Sequence, residues 1–139
     1  MLDSGPLGRL AHRTPSAEIL EWVARLSSSD YTLVIPEIAD FEVRRNFTFE
    51  RLSESLSRLD RLAEQLEYAP ITTTVMRRAA NMWAEARWRG RPTADPKELD
   101  ADVILASQAI ESSATVATEN LGHLAQFVAA VHWRKVAAR

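Results

Sequence analysis

Short β-type runs that alternate with helical segments constrain this chain more than any other feature. Tyr31 to Ile35 (YTLVI) is an apolar run stopped by Pro36, and Pro70-Ile71-Thr72-Thr73 and Ala114 to Ala117 are two more. Met1 and Leu2 read as the stunted end of another strand, with Asp3 at its C-terminal edge. Helical patterns lie between them. Three or four short strands alternating with helices imply an α/β sandwich with a mainly parallel sheet.

The helical segments follow from caps and spacing. Thr14-Pro15-Ser16 opens a helix whose apolar face is Ile19, Leu20, Trp22, Val23 and Leu26, ending near Asp30. Gly5, Pro6 and Gly8 argue against any regular element through SGPLGRL. PEIADFEVRRNF is helical in its spacing of Ile38, Phe41 and Arg45. Phe49 to Leu66 is the most periodic segment, with Phe49, Leu52, Leu56, Leu59, Ala63 and Leu66 forming one apolar seam. Arg51, Glu54, Arg58, Arg61 and Glu64 occupy its solvated face. Thr74 to Arg89 turns Val75, Ala79, Met82, Trp83 and Ala86 inward, and Gly90 ends it. A loop is expected at 91–99, then a helix opened by Asp100 and Asp102. Leu121 to Arg139 reads as a short helical piece with an exposed basic tail.

Composition narrows the class. At 139 residues the chain makes one domain, 1–139. It has no cysteine, which removes disulfides, iron–sulfur clusters, thiolate zinc and cysteine nucleophiles. No apolar run reaches the roughly 18 residues that span a bilayer, and no leader pattern opens the chain. A cytoplasmic protein with no membrane partner is the expectation. A net charge of −2 makes no general case for a polyanion partner, although fifteen of the seventeen basic residues are arginine.

Asp3, Glu42, Asp100, Asp102 and Asn120 all sit just after an element boundary. In a parallel sheet such positions collect at the edge where the strand C-termini point. Converging carboxylates repel, and a divalent cation relieves that cost. With oxygen donors alone, the cation of choice is Mg²⁺ or Mn²⁺, an outline of a phosphodiester-hydrolysis site. Each residue alone has an ordinary reading: Asp3 begins a turn, Glu42 lies among other charges, Asp100 is an N-cap and Asn120 a turn residue. Residues two positions apart on a helix are rotated by about 200°, so Asp100 and Asp102 converge only if Asp100 sits off the helix as its cap.

Four segments together, LDSGPLG, IPEIADFEVRRNF, DADVILASQA and VATENLGHLAQF, resemble PIN domains, most nearly the VapC-type toxins of toxin–antitoxin pairs. The resemblance runs along essentially the whole chain. It implies a three-layer α/β/α sandwich around a short, mainly parallel sheet, and metal-dependent hydrolysis of RNA. It places the family's first acid at Asp3, with Ser4 as the small hydroxyl neighbour. Its glutamate, in a segment reading E-x-x-x-x-E-[VL]-x-R, falls on Glu42, and its third acid on Asp102, with Asp100 an additional acid. Its late T-x-[ND] motif falls on Thr118 and Asn120, where many members carry aspartate. By this resemblance Asp3, Glu42, Asp102 and Asp100 hold Mg²⁺ or Mn²⁺, and Thr118 and Asn120 orient water or phosphate. A cognate antitoxin and a homodimer are also implied. A PIN-like binding module without nuclease activity is the competing expectation.

Other residues bear on substrate. Arg77, Arg78, Arg87, Arg89 and Arg91 bracket Trp83 and Trp88, the composition of a single-strand RNA surface or of a solvated helix face. Arg44 and Arg45 adjoin Glu42 and suit a phosphate or that carboxylate. His12, His123 and His132 lack metal spacing and read as surface or cap residues. SGPLG lacks the Gly-Lys-Ser/Thr ending of a P-loop. Lys97 and Lys135 are poorly placed for a phosphatase built on an aspartate nucleophile.

Overall fold

The computed structural model describes residues 1–92, 95 and 100–137. Its helices are α1 (Ser4–Ala11), α2 (Ala17–Ser27), α3 (Glu37–Phe49), α4 (Ser53–Gln65), α5 (Thr73–Trp88) and α6 (Ala101–Glu111). Its strands are β1 (Val34–Pro36), β2 (Glu67–Ala69), β3 (Val116–Thr118) and β4 (Ala130–His132). Single 3-10 turns occupy Leu124–Gln126 and Trp133–Lys135. Residues 93, 94 and 96–99 of the expected loop, with Lys97 and Leu99, lie outside the described residues, as does Arg139.

The sheet is organised around two residues. β1 pairs with β2 and β3 with β4, both in parallel. Met1-Leu2 lies between the pairs: the Leu2 amide donates to the Val34 carbonyl at 2.9 Å, and the Ala117 amide to the Met1 carbonyl at 2.8 Å. The Asp3 amide donates to the Ala117 carbonyl at 3.0 Å, and Leu2 forms a parallel bridge with Ala117. Bonded on both sides, this stunted strand needs no length of its own.

Strand pleating divides the apolar residues between two cores. Leu2, Ile35 and Ala117 face Leu7, Leu10, Ile19, Trp22, Val43, Phe47, Leu59 and Trp133, from α1 to α4 and the C-terminal turn. Met1, Val34 and Val116 face Val75, Ala79, Val103, Ile104 and Ala109, from α5 and α6. The result is the expected three-layer α/β/α sandwich on a parallel sheet.

Several local readings are corrected. SGPLGRLA is helix α1: Asp3 caps it, Pro6 sits in the first turn where its missing N–H costs nothing, and Leu7, Leu10 and Ala11 are buried. The periodic segment from Phe49 is two helices, broken at Arg51 with φ 58°. Phe49 ends α3 and is 89% exposed, so the seam starts at Leu52. Arg58 is not on a solvated face, since its guanidinium donates to the Leu10 carbonyl at 3.0 Å. The strand expected at 70–73 lies at 67–69, because Thr72 caps α5 through Val75 N. Pro36 is the last strand residue rather than a residue beyond it. Where one short terminal helical piece is expected, the structure has two 3-10 turns with β4 between them, and Trp133, just after β4, is buried.

Candidate metal centre

Asp3 is the most tightly held acid. Its backbone is extended at the N-cap of α1, and Oδ1 accepts the Ser4 amide at 2.7 Å, with the Ser4 hydroxyl 3.4 Å away. Oδ2 accepts from Thr118 Oγ1 at 2.6 Å. Thr118, fully buried at the end of β3, also accepts the Asn120 amide at 3.0 Å. Its hydroxyl therefore ties Asp3 to the 118–120 turn from behind, away from solvent. Asn120 is exposed beyond that turn, and its Oδ1 lies close over Gly122, where φ is +27° and a Cβ would come within 2.9 Å of it.

Glu42 and Asp102 approach the same edge from other layers. Glu42 lies one and a half turns into α3, and Asp102 in the first turn of α6. Burial pushes the Glu42 carboxyl up from its ordinary range, and the charges of Asp3 and Asp102 push it further, against Arg45 at 3.9 Å. Burial likewise raises Asp102, reinforced by Asp100 and Asp3 and opposed by His123. Asp100 is the N-cap of α6, 7% exposed, with Oδ1 accepting the Val103 amide at 3.3 Å. It sits off the helix and so does converge on Asp102, whose largest charge effect it supplies.

Three elements thus bring mutually repelling, half-buried carboxylates to one edge. All the donors are oxygens, which suits a hard divalent cation. Among the described residues, however, no three His, Asp or Glu side chains are grouped closely enough to ligate one ion as they stand.

The arginines divide. Arg45 lies beside Glu42 and 5.3 Å over the Phe41 ring. Arg44 instead joins Asp40 at 3.0 Å and Asp60 at 2.8 Å, and Tyr68 donates to the same Asp40 at 2.6 Å. Arg78 is paired with Glu111. Arg87 stacks 4.1 Å over Trp83, and Arg89 pairs loosely with Glu85 at 3.4 Å. The start of α5 (Thr72, Val75) shares a cleft with the end of α6 (Gln108, Glu111, Ser112), and Ser107 Oγ donates to the Val75 carbonyl. The two helices therefore run in opposite directions, and the end of α5 with Arg87 and Arg89 lies toward Asp100.

Two neighbours of the edge carried no usable sequence signal. Glu119 is ion-paired with Arg9, 110 residues away, and packs so close to Gly5 that a Cβ there would meet its Cγ at 2.9 Å. Arg9 holds the Glu119 carboxyl below its ordinary range. His123, read as a surface or cap residue, is exposed but near enough to favour ionised Asp102.

The PIN domain family model matches residues 1–126. The chain is a PIN domain. This PIN domain covers 94% of itself and 96% of a chain in the structure of VapBC2 from Rickettsia felis bound to a promoter DNA fragment, with TM-score 0.77 and 17% identity. It resembles FitAcB from Neisseria gonorrhoeae over 97% of itself and 98% of that chain, with TM-score 0.63 and 23% identity. A chain of FitAB bound to the IR36 DNA fragment gives TM-score 0.70 at 20% identity, covering 99% and 97%. At these identities the likeness is one of fold. No curated protein matches the sequence. PIN domains are generally nucleases that use divalent metals. Among the described residues no helix is long and apolar enough to cross a membrane.

Proposed function

We propose that this PIN domain, taken as one unit over 1–139, is a metal-dependent endoribonuclease and the cytoplasmic toxin of a toxin–antitoxin pair. The observation that carries the reading is the convergence of Glu42 and Asp102 on the edge that Asp3 occupies: burial raises both carboxyls, the charges of Asp3 and Asp102 add to this at Glu42, and those of Asp100 and Asp3 add to it at Asp102. Repulsion at Glu42 and Asp102 does nothing for folding, whereas a cation and a phosphodiester make use of such an edge.

In this reading Asp3, Glu42 and Asp102 hold Mg²⁺ or Mn²⁺, directly or through water, and Asp100 is an auxiliary acid that also caps α6. The chemistry supplied by the bound ion is a more acidic water and a stabilised phosphoryl charge. Asp3 is fixed between the Ser4 amide and Thr118 Oγ1, so its carboxylate meets the site with its rotamer already set. Thr118 acts through Asp3 rather than on water. Asn120 offers a carbonyl without charge and so positions water or phosphate. Ser4, Arg45, Arg87 and Arg89 are assigned to RNA binding in this reading; Arg44, engaged with Asp40 and Asp60, reaches phosphate only by leaving them. The neighbours are structures of two-protein complexes, which supports a cognate antitoxin as partner, and a homodimer is proposed with it.

The second reading, a PIN module that binds without cutting, is favoured by the open spacing of the acids and by the neutral Asn120. Titrating Mn²⁺ and Mg²⁺ while following the melting midpoint and single-stranded RNA cleavage separates the two. The nuclease reading expects a metal-dependent rise in midpoint by mass action and EDTA-sensitive cleavage. Neither effect with either metal leaves the binding module.

A further inference from the structure

Trp88 is the last residue of α5 and is 82% exposed, the only tryptophan of four to be so. Trp22 and Trp133 are buried against each other at 5.3 Å, and Trp83 is half-buried beneath the Arg87 guanidinium. Exposing a ring of this size gains nothing for folding. Arg87, Arg89 and Arg91 surround it in sequence, with Glu85 the one acid of that turn, already beside Arg89. Arginines in a last helical turn complement the helix dipole, which accounts for one or two of them. It does not account for the indole. The antiparallel course of α5 and α6 puts this turn at the end of the molecule where Asp100 and Asp102 open α6.

We propose that Trp88 is a stacking platform for one unpaired base of a single-stranded RNA, with Arg87, Arg89 and Arg91 taking the flanking phosphates and leading the strand toward the acid edge. The assignment rests on the nuclease reading above and deepens it by stating the strand conformation selected. Duplex bases are already stacked and cannot offer a face to the indole, whereas a single strand can at little cost. Positive charge around the ring favours a polyanion over an acidic or apolar protein segment.

The test uses the full chain in EDTA with a 2′-O-methyl oligonucleotide, single-stranded or annealed, which cannot be cleaved. Trp22 and Trp133 are shielded, and the part of the indole quenching that W88A removes separates Trp88 from the half-buried Trp83. The expected result is quenching and tighter binding with the single strand. W88A should lose both, with affinity falling about 5- to 150-fold, the 1–3 kcal/mol of one stacked base, while W88F keeps most of it. Equal affinity of W88A and wild type overturns the proposal, and so does equal binding of the duplex. If W88A instead loses self-association by sizing chromatography with RNA affinity unchanged, Trp88 belongs to a protein interface and the proposal falls. Wild-type chain that binds the single strand through Trp88 but never cleaves with Mg²⁺ or Mn²⁺ sinks the nuclease reading and leaves this one standing.

Discussion

Glu42 and Asp102 are acids whose folded environment disfavours their charge, and this gives the apo protein a definite pH dependence. Because their carboxyls are raised in the fold, the native state holds more protons than the unfolded chain just above the ordinary carboxylate range. Stability from these groups therefore falls as pH rises from that range through their raised values, and recovers as pH drops. E42Q and D102N remove the repelling charge at neutral pH. In EDTA each should raise the melting midpoint by about 2–4 °C, a gain that shrinks as the buffer is acidified toward the carboxylate range. In Mg²⁺ the same variants should show less metal-linked stabilisation than wild type. A lower midpoint in EDTA at neutral pH would mean that these carboxylates are held by bonds rather than strained by repulsion. At this scale the acids themselves were legible, since residue type and position after an element boundary mark them. The bond from Thr118 to Asp3 was not: it links positions 115 residues apart, and only burial shows that the hydroxyl works from behind the site.

Among the elements, α6 opens with two acids in different settings. Asp100 caps the helix through Val103 N, and Asp102 projects from the first turn. D100A should cost about 1 kcal/mol in urea unfolding, and D100N much less, because the amide oxygen still accepts that N–H. RNA cleavage should survive both far better than it survives D3A or D102A; equal losses would remove Asp3 and Asp102 as the principal ligands. The same scale holds the clearest misreadings. α1 was obscured because Gly and Pro lower helix propensity, yet the buried contacts of Leu7, Leu10 and Ala11 outweigh a few tenths to 1 kcal/mol per residue. The α3–α4 break was hidden because an unbroken threes-and-fours rhythm says nothing about Arg51 entering a left-handed turn.

For the whole molecule, Leu2 joins the two halves of the sheet and is 1% exposed. L2A should therefore cost about 2–5 kcal/mol, read as a lower urea midpoint with the slope unchanged, far more than one side chain of a frayed terminus. A loss under 1 kcal/mol would show that Met1-Leu2 is peripheral to the sheet. Local pattern by itself determined the class of architecture, most helices and the acids of the edge, because caps, periodicity and residue chemistry act within a few positions of the chain. Tertiary structure alone decided that a two-residue strand is central, that Arg9 finds Glu119, that Arg44 turns to Asp40 and Asp60, and that the end of α5 returns to the start of α6. Those outcomes depend on which distant segments meet, and the free energy of meeting comes from two cores assembled at once on either face of the sheet.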